Sequence, residues 1–237
     1  MTPEERQNIL DKYKVWFRES LVISHKANTE KLTDINEFNI NPLLLYYLAN
    51  YLEGNASPKS LAKALVYPRV LGTSINTSFG QQIQSFITKV LDIYGSAIPG
   101  IDIEFIDQVD NRKKYCQLKS GPNAINHDDV VTIKGHFTEI LNRARKNELR
   151  VEIGDLIFCL IYGLPEEKNS FVKKLEKDYI VFIGKEFWHR FTGDEGFYRS
   201  LIEASGEVAN SIDMKEIVEK VIEELSSKIE TRFRNLG

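Results

Sequence analysis

Two short alternating segments hold the residues of this chain best suited to chemistry. Ile101-Asp102-Ile103-Glu104-Phe105 is one, and Tyr115-Cys116-Gln117-Leu118-Lys119, after a turn at Asp110-Asn111, is the other. Each has the apolar/polar alternation of a half-buried strand. Side chains repeat every second residue along a strand. Asp102 and Glu104 therefore share one face, and Gln117 and Lys119 share a face opposite Cys116 and Leu118. If the strands pair, two carboxylates, an amide and an ammonium gather on one patch. Mg²⁺ prefers hard oxygen ligands and is commonly held by one or two carboxylates plus a substrate phosphate. A lysine beside it can orient or deprotonate a water, and its charge stabilises a pentavalent phosphorus. The set points to metal-assisted phosphoryl chemistry.

Alternation alone is commoner in a plain hairpin face turned to solvent. Two features favour the chemical reading. Pro99-Gly100 delivers Asp102 at a strand start, and Ser120-Gly121-Pro122-Asn123 breaks the chain directly after Lys119, so both groups fall where a sheet meets a cleft. The later strands also read as fully buried, which leaves little of the sheet open to water.

Those strands are the apolar runs within Asp155–Tyr162 and Tyr179–Ile183. Strands without alternation lie in sheets covered by helices on both faces. Helical spacing surrounds them. Leu10, Tyr13, Trp16 and Phe17 mark a first helix, and Pro42 to Gly54 a second. A third starts at Ser57-Pro58, with proline suited to the first turn. After the polar stretch Thr73–Ser78, a stripe of Phe79, Ile83, Phe86, Ile87, Val90 and Leu91 predicts a helix ended by Gly95–Gly100. Val130, Ile133, Phe137, Ile140 and Leu141 predict another, capped by Asn126 or Asp128. Val218, Val221, Ile222, Leu225 and Ile229 make the last. The expectation is a single α/β domain over 1–237 with a mixed central sheet.

Composition narrows the class. Among 237 residues, 42% are hydrophobic and 27% charged, which excludes wholesale disorder. The longest apolar runs, Leu43–Ala49 and Leu156–Tyr162, are too short to span a bilayer. A charged N-terminus, MTPEERQ, gives the expectation of a cytoplasmic protein. With 31 Lys+Arg against 34 Asp+Glu, the net charge of −3 offers no global footprint for nucleic acid, so DNA binding would rest on local patches. No phosphate-binding loop occurs, which argues against a nucleotide cofactor. Cys116 and Cys159 fall in apolar strands and read as inert core thiols.

Gly100-Ile101-Asp102, followed 117 − 102 = 15 positions later by Gln117-Leu118-Lys119, resembles the PD-(D/E)xK nuclease signature. The helix before it and the helix and buried strand after it are similar to that superfamily's αβββαβ core. The resemblance covers roughly residues 76–185, with helical flanks at 1–75 and 186–237. The run from Gln117 to Asn126 resembles type II restriction enzymes cutting GGNCC-type palindromes. The resemblance implies a Mg²⁺-dependent endonuclease on double-stranded DNA, leaving 5′-phosphate and 3′-hydroxyl ends. It implies Asp102 as principal metal ligand, Gln117 and the Leu118 carbonyl completing the set, and Lys119 positioning the water. The family's second acid is Gln117 here, so Glu104, or a flanking acid such as Glu53, is expected to supply the missing charge. A two-fold target implies a homodimer, with the flanking helices as dimerising and clamping elements.

Several other residues have two readings. Lys134, His136, Arg143 and Lys146 could contact phosphates or simply face solvent on one helix, and Arg112, Lys113 and Lys114 share that ambiguity. Ser120, Asn123 and Asn126 follow Lys119 and are candidate DNA contacts, although Asn also favours turns and caps. Phe187-Trp188-His189-Arg190-Phe191 could stack on bases or pack within helices. Two further functions compete with restriction: a repair or structure-selective nuclease on the same core, and a catalytically inactive DNA- or protein-binding module, the latter motivated by Gln117.

Overall fold

The computed structural model describes residues 1–91, 96–209 and 213–233. Gly95 and the side chains of Ile83 and Ile87 lie outside the described residues. In chain order the helices and strands are α1 (Pro3–Trp16), α2 (Ile23–Glu30), α3 (Pro42–Glu53), α4 (Pro58–Pro68), α5 (Ile75–Val90), β1 (Ile103–Ile106), β2 (Lys113–Lys119), α6 (His127–Lys146), β3 (Leu156–Leu160), α7 (Ser170–Leu175), β4 (Ile180–Ile183), α8 (Lys185–Thr192), α9 (Phe197–Ala209) and α10 (Met214–Phe233). They fall into two compact units, Met1–Trp16 with Ile83–Gly206, and Phe17–Gln82 with Glu207–Gly237.

The first unit holds the sheet, ordered β1-β2-β3-β4. β1 and β2 are antiparallel, with Ile103 opposite Cys116, while β3 and β4 follow β2 in parallel. Parallel neighbours need crossovers. α6 makes the one from β2 to β3, and the six-residue α7, which has no counterpart in the sequence expectation, makes the one from β3 to β4. Every residue of β3 is buried, as its unbroken apolar run requires. Phe158 and Leu160 of β3 pack with Val130, Ile133, Phe137 and Ile140 of α6. Gln117 is in register with Phe158, and Lys119 with Leu160. The two polar residues therefore share the sheet face that α6 covers. Two strands stand before α6 and two after it, and the fold class is the mixed α/β expected.

α8 buries Phe187 and Trp188, and the Trp188 indole N–H donates to the Ile161 carbonyl at 2.9 Å. Phe105, Phe187 and Phe191 stack edge-on or tilted. The aromatic run thus packs a core. Cys116 and Cys159 are both fully buried, and burial pushes the Cys116 thiol well above its usual pKa.

The second unit is helical. Leu45 and Ala49 of α3, Leu61, Ala62 and Val66 of α4, and Val221, Ile222, Leu225 and Ile229 of α10 form its core. Asn41 caps α3 and Ser57 caps α4, each accepting from backbone N–H groups, and Gly54 closes α3 at φ 71°. One expectation is corrected. The helix of the Phe79 stripe does not start after Thr73–Ser78 but already at Ile75, because a π-helical turn, Arg69–Ser74, joins α4 directly to α5. That turn starts right after Pro68, whose ring lacks an N–H and displaces the carbonyl four residues back, so the helix widens instead of ending. Among the described residues, no helix is long and apolar enough to cross a membrane.

Candidate active site

Asp102 sits one residue ahead of β1. Its backbone N–H donates to the Cys116 carbonyl at 3.0 Å, and its carboxylate accepts the Leu118 N–H at 2.7 Å. The side chain thereby replaces a strand carbonyl as partner of β2. An acid in this place is held by the ladder itself, at the peptide between Gln117 and Leu118.

Gln117 is fixed at its nitrogen end. Its amide NH₂ donates to the Gly100 carbonyl and to Nδ1 of His136, the latter at 2.9 Å. A carbonyl only accepts, so the NH₂ must face Gly100 and Oε1 is the end left for other partners. The contact to His136 then makes Nδ1 an acceptor, which places the imidazole proton on Nε2. Gly100 has φ +83°, and a Cβ there would come within 2.3 Å of the His136 ring. Glycine is required twice over, by conformation and by space.

Lys119 carries its ammonium 3.5 Å from Oδ1 of Asp129, with side-chain exposures of 41% and 30%. An ion pair that open to water is worth at most about 1 kcal/mol, so the lysine is held loosely. Asp129 also accepts the Asn126 N–H at 2.9 Å, while the Asn126 side chain accepts from Asp128 and Asp129. That reciprocal box starts α6. Reading from the sequence missed both Asp129 and the contact of His136. The Asn-x-x-Asp spacing was the available signal for the first; the second depends on the tilt of α6 over the sheet.

The expected helpers have other partners. Glu104 is bridged to Lys113 at 2.6 Å and accepts from Ser96. Burial alone would raise its carboxyl, but those bonds hold it below the usual carboxylate value. Glu53 lies in the second unit, bridged to Lys63 at 2.6 Å. The cations at the strand turn are structural: Arg112 forks onto Asp155 at 2.8 and 2.7 Å, Lys113 holds Glu104, and Lys114 is buried against Asp110 and the Gly154 carbonyl. Lys134 is paired with Asp178 and Arg143 with Glu139. Ser120 is half-buried and Asn123 exposed in the loop after Lys119.

The donor set suits a hard cation. Asp102 offers a carboxylate, and Gln117 offers an amide oxygen whose nitrogen end is already committed. No cluster of three His, Cys, Asp or Glu that could hold a metal occurs among the described residues. Any ion here would depend on oxygen from the amide, the backbone and a bound phosphate, a coordination Mg²⁺ accepts.

A mixed four-stranded sheet between helices, with an acid at the mouth of its first strand and a lysine at the end of its second, is a restriction-endonuclease-like α/β fold. The family model described as type II restriction endonuclease EcoO109I matches residues 26–215, which is 215 − 26 + 1 = 190 of the 237, and the chain belongs to that family. Membership makes it a restriction nuclease, whose substrate is double-stranded DNA. No curated protein matches the chain.

Proposed function

We propose that the chain is a Mg²⁺-dependent endonuclease of the PD-(D/E)xK type that cuts a short palindrome, of the GGNCC kind, as a homodimer with one strand cut per subunit. The observation that carries this is the bond from the Leu118 N–H to Asp102, because it ties the acid to the peptide joining Gln117 to Leu118, next to Lys119 in the chain. Asp102, the Gln117 amide oxygen and the Leu118 carbonyl would hold the ion. Bound there, Mg²⁺ would supply Lewis-acid charge to the phosphate being cut.

The side chains do the rest. Lys119 gives up its weak pair with Asp129 and orients the water that attacks phosphorus in line. The attacking water loses its proton to solvent as the bond to phosphorus forms. The bond from phosphorus to the 3′-oxygen breaks, and that oxygen takes a proton from a second water and departs as a hydroxyl, leaving the phosphate on the 5′ end. The loop from Ser120 to Asn123 meets the DNA beside the cut. Lys134 and Arg143 serve as rim cations, since exposed ion pairs exchange readily for phosphates. The Asn126 side-chain oxygen caps α6, and Asn126 meets the DNA with the loop that follows Lys119.

Plasmid DNA incubated with and without Mg²⁺, followed by sequencing of the ends, tests the reading. Discrete fragments with 5′-phosphates, formed only with the metal, are expected. Cutting confined to flaps or junctions would replace restriction by a repair role, and DNA binding without cutting would favour an inactive module.

A further inference from the structure

We infer that His136 is a positioning residue for the proposed metal site: its Nδ1 keeps the oxygen end of Gln117 turned toward the ion. The inference rests on the reading of Asp102 and Gln117 as metal ligands given above. A carboxylate presents an oxygen whichever way it turns, since its two oxygens are equivalent. A carboxamide does not. One end is a ligand, and the other is an NH₂ that offers a cation only protons. Where glutamine stands in place of an acid, something has to select the flip.

α6 supplies the selector. His136 is turned neither to solvent nor to phosphate but to the sheet. It follows Ile133 and precedes Ile140, both buried, at the three- and four-residue spacing that stacks side chains on one helix face. Asp129, about two turns earlier on that face, stands 3.5 Å from Lys119, and His136 stands 2.9 Å from Gln117. The helix runs back against β2, so each polar residue on this face of the strand has its own partner on α6. A leucine at position 136 would continue the apolar stripe at no polar cost, whereas a half-buried imidazole costs desolvation unless it is bonded. The bond it makes is the one to Gln117. The Gly100 carbonyl takes one proton of the NH₂ and Nδ1 of His136 takes the other, so neither N–H is left to face the ion. A reversed amide would set Oε1 against two acceptors at once.

Two readouts on the full chain test this. In metal-free protein at pH 8, long-range ¹H–¹⁵N NMR should show His136 with Nδ1 bare and its proton on Nε2, and Gln117→Leu should shift the Nδ1 signal. Mn²⁺, which takes the same hard oxygen ligands, is then titrated with the free ion read by electron paramagnetic resonance. His136→Leu should weaken Mn²⁺ binding by about 10–100-fold, the usual loss when the partner orienting a metal ligand is removed. His136→Asn should bind Mn²⁺ nearly as wild type does, because its Oδ1 falls where Nδ1 stood and accepts the same proton. Asparagine is the poorer helix former, so damage to α6 alone would give the opposite order. Three results would overturn the role of His136 and leave the metal site standing: a proton on Nδ1, equal losses in both variants, or a leucine variant that binds like wild type while Asp102→Asn loses Mn²⁺. A wild type that binds no Mn²⁺, or binding that Asp102→Asn leaves unchanged, would refute the metal site and the role of His136 with it.

Discussion

The Gln117 carboxamide donates to Nδ1 of His136 across 2.9 Å, with the Gly100 carbonyl taking its other proton. An amide stands where the nuclease signature this stretch resembles has an acid, and its surroundings are built for an amide. A glutamate there would set a carboxylate oxygen against a carbonyl oxygen. Gln117→Glu is therefore expected to lower stability by about 1–2 kcal/mol at pH 8 in chelator, the cost of breaking a satisfied, partly buried contact. Added Mg²⁺ should restore part of the loss. Thermal unfolding of both proteins with and without metal measures it, and equal midpoints in chelator would show that the Gly100 contact is not made.

Asp102 has two duties that separate by substitution. Its carboxylate accepts the Leu118 N–H at 2.7 Å and also carries the charge proposed for the metal. Asp102→Asn keeps an acceptor and loses the charge, whereas Asp102→Ala loses both. The asparagine variant should unfold close to wild type and fail to cut DNA. The alanine variant should in addition lose about 1–3 kcal/mol, because the Leu118 N–H is left without a partner. Cleavage persisting in the asparagine variant would remove Asp102 from the metal site.

Lys119 contributes to chemistry far more than to folding. Its 3.5 Å pair with Asp129 is open to water. Lys119→Met should change stability by under about 1 kcal/mol and abolish cleavage, while DNA binding measured without metal persists. Unimpaired cutting would mean that another group orients the water.

Much of this was legible from residue order. The period-two alternation placed Gln117 and Lys119 on one side of β2, and the unbroken runs identified β3 and β4 as covered strands, because burial on both faces leaves no polar position. Pro42 and Pro58 announced two helix starts through the fixed φ of proline, and Asn126 a third through its capping side chain. What could not be read was partnership at a distance. Lys113 and Glu104 are nine positions apart and meet only through the β1–β2 register, and His136 reaches Gln117 only because α6 crosses over that face. The π turn at Arg69–Ser74 and the early start of α5 were not legible, because glycine and small polar residues show no apolar stripe of their own.

The β2–β3 register that carries Lys119 is anchored at its far end by Asp155. Its carboxylate takes both prongs of Arg112 and the Glu152 N–H at 2.9 Å, with the buried Lys114 ammonium 3.7 Å away. Burial alone would raise this carboxyl, but those bonds outweigh it and hold its pKa below the ordinary value. The folded chain therefore releases the proton more readily than the unfolded chain, whose aspartates titrate near about 3.9. The resulting stabilisation is complete above about pH 5 and is lost as the pH falls through the unfolded value toward the lower folded one. Asp155→Asn removes it and leaves two cations facing an amide, at a cost of about 3 kcal/mol at pH 7. Denaturant unfolding from pH 7 to pH 3 should show the gap between the two proteins closing as the acid range is entered. A constant gap would mean that the Arg112–Asp155 fork does not form in the folded chain.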